Sequence, residues 1–177
     1  MTTVRTEILD APEQDRPILS RLVELYLYDF SEFTGWDVGD NGRFGDQILD
    51  GCWTEPWRHP FLIKVDGKLA GFAIVDDRSH LSGDPQTRDM KEFFVLRKYR
   101  GRGVGASVAT QLFDRFPGNW EVRELAKNVA ALAFWRAVIA RYTDGRFVEV
   151  AWDERQRGPV QFFDSTDRAE QRVGTGE

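Results

Sequence analysis

Phe93-Phe94-Val95-Leu96-Arg97-Lys98-Tyr99-Arg100-Gly101-Arg102-Gly103-Val104-Gly105-Ala106 carries a hydrophobic strand through three alternating glycines into a helix. The pattern predicts a strand over Met90–Leu96 and a helix over Val104–Phe116, stopped by Pro117-Gly118. A glycine turn at that junction lets the backbone approach an oxyanion closely and take positive φ. The first N–H groups of the helix have no intrahelical acceptor and sit at the positive end of its dipole, so the junction can hold phosphate. Arg97, Lys98, Arg100 and Arg102 place four cations within six positions of a chain whose net charge is −5. Read alone, such a charge run is a solvated loop.

Two phosphate-loop chemistries fail on spacing. A dinucleotide fingerprint needs G-x-G-x-x-G and an acidic residue about 20 positions on. Gly101, Gly103 and Gly105 give G-x-G-x-G, and Glu121 follows too soon. A nucleoside-triphosphate loop needs Gly-Lys-Ser/Thr, which Val104-Gly105-Ala106 does not supply.

On the N-terminal side, Asp66-Gly67 between Phe61–Val65 and Leu69–Val75 predicts a tight hairpin, and Arg78–Arg88 a polar loop. Further back, Val4–Leu9 reads as a strand and Arg16–Phe30 as a helix, with Ile18, Leu22, Leu25 and Tyr26 at helical spacing. Ser31–Trp57, broken by five glycines, reads as an irregular section with a short helix at Phe44–Leu49. On the C-terminal side come a strand at Trp120–Leu125, a helix at Val129–Tyr142 ended by Asp144-Gly145, and strands at Phe147–Trp152 and Val160–Asp164. The order is βα(α)βββαβαββ, an α/β (α+β) arrangement of a mixed, mainly antiparallel sheet of about six or seven strands flanked by helices on both faces.

The 177 residues suit one domain, expected over 1–166, with a polar, disordered tail over 167–177. The N-terminus lacks a signal peptide's apolar run and no stretch is long enough for a membrane span, so neither secretion nor a membrane partner is expected. Cys52 is the single cysteine, so no internal disulfide forms, which fits a cytoplasmic location. A pI of 5.2 argues against a nucleic-acid partner. His59 and His80 are the only histidines and lack metal-ligand company, so no metal is expected.

Arg100-x-x-Gly103-x-Gly105 after Phe93–Leu96 resembles the CoA-binding motif of the GNAT superfamily of N-acetyltransferases. Asn128, Ala131, Phe134 and Trp135 resemble that family's second CoA-contacting region, and the strand order over about Val4 to Asp164 agrees. The resemblance implies a V-shaped opening between Met90–Leu96 and Trp120–Leu125 that takes acetyl-CoA as acyl donor. It implies CoA contacts from Phe94, Val95, Leu96, Arg97, Arg100, Gly101, Arg102, Gly103, Val104, Gly105, Ala106, Asn128 and Trp135. For Phe134 helix-to-sheet packing is the preferred role, and for Trp135 packing and cofactor contact stand level.

The resemblance further implies direct attack of a primary amine on the thioester within a ternary complex, on a small molecule or peptide. Glu92 is the candidate base, with a strand-edge ion pair as the equal alternative. The family's usual tyrosine after the second-region Phe is replaced by Trp135, which leaves Tyr142 as a substitute acid, or as a packing residue with the thiolate departing unaided. Cys52 reads as a small buried residue rather than a nucleophile. Tyr26, Tyr28, Asp29, Glu32, Trp36, Trp53 and Trp57 are candidates for the acceptor site or, equally, for core and solvated surface. The rival function is a CoA-binding regulatory domain without turnover; a homodimer fits either reading.

Overall fold

The computed structural model describes residues 5–151 and 157–166. Among these residues seven strands, β1 (Thr6–Asp10), β2 (Arg58–Val65), β3 (Lys68–Asp76), β4 (Thr87–Val95), β5 (Asn119–Leu125), β6 (Val148–Val150) and β7 (Arg157–Asp164), form one sheet in the order β1-β2-β3-β4-β5-β7-β6. Of the six neighbouring pairs, β4 and β5 are parallel and the others antiparallel. The helices are α1 (Arg16–Thr34), α2 (Val104–Arg115) and α3 (Val129–Thr143).

β2 and β3 read as continuous hydrophobic runs because both faces of the sheet are covered. Phe61 and Ile63 join Ala73, Val75, Val108, Leu112, Phe113, Trp120 and Ile139 in a core under α2 and α3. The alternate residues Leu62, Phe72, Ile74 and Phe94 pack with Leu19, Val23 and Leu27 of α1 on the opposite face. Phe113 is fully buried against the rings of Trp120, Tyr142 and Phe163, a site where truncation to Ala costs about 3–5 kcal/mol.

Several boundaries differ from the sequence reading. α1 runs one turn past Phe30 and ends at Gly35, whose left-handed conformation lets its N–H bond Ser31 O. The helix expected over Phe44–Leu49 is a single 3-10 turn, Gln47–Leu49, because Gly45 takes positive φ and cannot join it. β4 begins at Thr87 rather than Met90: the polar residues Thr87, Arg88 and Asp89 are drawn into the sheet by pairing with Asn119, Trp120 and Glu121. Val4, Trp152 and the tail expected at 167–177 lie outside the described residues. Among the described residues no helix is long and apolar enough to cross a membrane.

Candidate functional site

β4 and β5 stay together for three residue pairs only, ending at Asp89↔Glu121. Beyond that point β5 keeps only its pairing with β7, which runs from Asn119, and β4 continues along β3 with a bulge at Lys91, where Ile74 faces Glu92 and Val75 faces Met90. At the fork Arg123 reaches from β5 to the fully buried Asp89 of β4, its Nη2 donating to Oδ2 over 2.8 Å. Even so paired, Asp89 is pushed up to about 6, burial outweighing the guanidinium.

A cavity of about 660 Å³ lies beside the fork. It is lined on one side by Tyr26 and Phe30 of α1 with Phe94, and on the other by Phe93, Val95, the glycine loop, and Asn128, Ala131, Phe134, Trp135 and Tyr142 of α3. Tyr26 and Trp135 belong to cores on opposite faces of the sheet, so the cavity spans both faces. Its size is that of an ordinary ligand pocket.

The loop presents backbone donors that the helix leaves unused. Gly103, at φ 77°, caps α2 in the left-handed region, and the first helical bond is from Ser107 N–H to Gly103 O. The N–H groups of Val104, Gly105 and Ala106 therefore have no intrahelical acceptor. At Gly105 a Cβ would sit 3.1 Å from the Phe134 ring, so the helix start and α3 approach only as closely as glycine permits.

Of the residues expected at the cofactor, Phe94, Val95, Arg100, Gly101, Gly103, Gly105, Ala106, Asn128 and Trp135 line the cavity, whereas Leu96, Arg97, Arg102 and Val104 do not. Arg100 donates through Nε to Val95 O (2.7 Å) and through Nη2 to Asp29 Oδ2 (2.6 Å). Arg97 holds the other oxygen of Asp29 through Nε and Nη2, at 3.1 and 2.8 Å. Asn128 caps α3, its Oδ1 accepting from Ala131 N–H. Phe134 stacks on Phe93, and Trp135 is buried edge-on against it.

Glu92 lies on the α1 side of β4, and the Tyr26 hydroxyl donates to its Oε2 over 2.7 Å. Burial raises its pKa; the Tyr26 hydrogen bond and the charges of Lys91 and Arg123 oppose that, and Asp89 adds to it. Glu92 itself is not among the cavity-lining residues. Tyr142 lines the cavity, donates to Asp114 Oδ1 over 2.8 Å and packs on Phe113 and Phe163. Burial pushes the Cys52 thiol up to about 11, so it is inert as a nucleophile at neutral pH.

Of the acceptor candidates, Tyr26 reaches the cavity and Asp29 grips the arginines. Tyr28 and Trp36 are exposed, as is Glu32, Trp53 donates to Ala11 O, and Trp57 lies under the Arg78 guanidinium. His59 pairs with Asp77, and no group of three or more potential ligands for a metal ion occurs among the described residues. Sequence reasoning missed Asp89, Arg123 and the Asp29 grip. No local signal flags the first two: Arg123 reads as solvent-facing on its strand until a covering element is known, and Asp89 precedes the strand expected at Met90–Leu96.

A model of the acetyltransferase (GNAT) family matches residues 20–138. A comparison with curated proteins finds no significant match. Among solved structures, an acetyltransferase from Thermus thermophilus is similar with a TM-score of 0.68 at 16% identity, over 93% of this chain and 99% of that one. The aminoglycoside acetyltransferase AAC(6')-Ib in complex with coenzyme A is similar at TM-score 0.66 and 14% identity, over 97% of this chain and 100% of that one. Spermidine N-acetyltransferase from Vibrio cholerae, in complex with CoA and spermine, gives 0.62 at 10% identity over 90% and 95%. With a family match over most of its length and a mixed sheet that forks beside a glycine cradle, the chain belongs to the acetyltransferase (GNAT) family.

Proposed function

We propose that the protein is an acetyl-CoA-dependent N-acetyltransferase that acetylates a primary amine by direct attack in a ternary complex, with residues 1–166 acting as one domain. The observation that carries this reading is the cavity spanning both faces of the sheet, lined by the glycine loop with its unpaired N–H groups and by Tyr26, which is bonded to Glu92 behind it. Acetyl-CoA would supply the activated acetyl group. The free N–H groups of Val104, Gly105 and Ala106 suit its pyrophosphate, and the backbone of β4 near Val95 its pantetheine arm. The structures similar in fold that bind CoA and act on amines support the same choice of donor and acceptor.

Within that complex the chain has three tasks: alignment of the two reactants, removal of a proton from the amine, and accommodation of the leaving thiolate. Glu92 is the proton acceptor, its raised pKa bringing it toward working pH. As the N–C bond forms and the C–S bond breaks, the thiolate takes a proton from Tyr142 or from water. For Tyr142 to serve, its hydroxyl must exchange the bond to Asp114 for one to sulfur.

The test is thiol release from acetyl-CoA against a panel of amines, beside calorimetry with CoA and with ATP. Acceptor-dependent release that falls about 10²–10⁴-fold in Glu92→Gln supports the reading. Tight CoA binding without acceptor-dependent release across the panel favours a regulatory CoA-binding domain instead, and binding of ATP but not CoA refutes both.

A further inference from the structure

The best placed base does not line the cavity, yet the residue bonded to it does. Tyr26 is a cavity wall, and its hydroxyl gives its proton to Glu92 Oε2 over 2.7 Å. No donor among the described residues bonds the Tyr26 oxygen in return, so its lone pairs are available to a proton arriving from the cavity. The ring is held in place by three others: edge-on by Phe72 at 5.7 Å and Phe94 at 5.6 Å, and tilted against Phe30 at 4.4 Å. A phenol so packed cannot swing aside to admit an amine to Glu92. The other charged groups around Glu92 are Asp89 and Lys91 on its own strand and Arg123 from β5. Asp89 and Arg123 are bonded to each other. Tyr26 thus touches both Glu92 and the cavity.

We propose that Tyr26 is a catalytic residue that relays the proton of the attacking amine to Glu92. The inference rests on Glu92 being the base. In the step, the amine nitrogen bonded to the acetyl carbon gives up its proton to the Tyr26 oxygen while the Tyr26 proton passes to Glu92 Oε2. The phenol ends neutral, as it began, and Glu92 ends protonated. The relay needs a phenol that never ionises on its own, and burial together with the Glu92 charge pushes the Tyr26 pKa well above 10.

The experiment compares Tyr26→Phe, Glu92→Gln and the double variant in steady-state acetylation of the best amine from the panel, with acetyl-CoA affinity read by calorimetry. The relay predicts that Tyr26→Phe lowers kcat about 10²–10⁴-fold, as Glu92→Gln does, with acetyl-CoA affinity kept. The double variant is then no slower than either single one, because the two residues act as a unit. If Tyr26→Phe stays within about threefold of the parent while Glu92→Gln is crippled, the relay is wrong and Glu92 remains the base. If Glu92→Gln keeps full activity, the base assignment itself falls.

A second variant covers loss of folding in Tyr26→Phe: fluorotyrosine incorporated at position 26 keeps ring and hydroxyl but makes the phenol a stronger donor. It steadies the Glu92 carboxylate and moves the acid limb of the pH–kcat profile to lower pH. An unmoved profile overturns the relay, since a phenol that carries the proton to Glu92 must pass its altered acidity on to that carboxylate, and the kcat loss in Tyr26→Phe is what separates a relay from a hydrogen bond that only steadies Glu92.

Discussion

Glu124 should be a neutral acid in the folded protein, and Glu124→Gln should stabilise the fold at neutral and alkaline pH. It sits at the bulge between Arg123 and Leu125 of β5, with both carboxylate oxygens buried and without a hydrogen-bond partner. Gln161 beside it is fully buried, donates through Nε2 to Glu149 Oε2, and has an equally unpartnered Oε1. Burial is the largest influence and pushes Glu124 up from 4.5 to about 8; Glu149 raises it further, while Gln161, Arg136 and Arg123 lower it.

In the unfolded chain the group ionises at its ordinary value. Between pH 4.5 and 8 folding must therefore take up a proton, and stability falls as pH rises across that window. At pH 7 the interval is about 2.5 pH units, which at about 1.36 kcal/mol each costs about 3 kcal/mol. The cost shrinks below about 1 kcal/mol at pH 5 and levels off above pH 8. Glutamine keeps the shape and carries no such cost. Urea unfolding of both proteins from pH 5 to 9 is the measurement: the wild-type curve should slope down relative to the variant by about 1.4 kcal/mol per pH unit up to pH 8. Parallel curves, or a variant less stable at pH 8, would refute a protonated Glu124.

Two further substitutions separate roles that coincide in one residue. Asn128→Ala should destabilise by about 0.5–2 kcal/mol through loss of the α3 cap. Asn128→Asp keeps the cap but removes the amide N–H donors, so thermal melts should show it near wild type while calorimetry shows weaker CoA binding; unchanged affinity would leave Asn128 as a cap alone. Arg123→Met strands Asp89 without its cation and should cost about 3–5 kcal/mol at pH 7. That loss should shrink toward pH 5, where Asp89, at about 6 even when paired, is neutral in the folded protein.

The local signals that the sequence carries well are those set by backbone chemistry. Asp66-Gly67 makes its turn with both residues at positive φ, and the glycine loop opens α2 at Val104 as the motif implies. What sequence cannot carry is the identity of polar partners across the sheet. Glu121 and Arg123 read as solvent-facing positions of their strand, and Asp89 falls just before the expected start of its own, yet Asp89 and Glu121 are fully buried. Glu121 accepts from Ser79 Oγ and from the His80 and Leu81 N–H groups, donors some 40 residues earlier in the chain. Glu92 is legible as a carboxylate on the right strand, but its bond to Tyr26 depends on α1 crossing β4 and has no local signature. Asn128 is legible through the family resemblance, while the cap that also requires it has a local pattern of its own, an Asn just before a helix start.

The basic run before α2 changes meaning in the same way. Read as four cations beside a phosphate site, it suggests side-chain recognition of the anion. In the folded protein Arg97 and Arg100 share Asp29, Arg100 also bonds Val95 O, and Lys98 lies over the Tyr99 ring. Asp29 stays ionised, the two guanidinium groups holding its pKa below the usual value against the effect of burial. Much of the loop's side-chain charge thus ties α1 to the end of β4, and Arg102 is left exposed. The capacity to bind an oxyanion then rests on the three free N–H groups and the dipole of α2, which are fixed in direction before any ligand arrives. Arg100 matters here even without touching an anion: it joins Val95, Asp29 and the face of Phe94, and so sets the distance between the cradle and the helix that carries Tyr26.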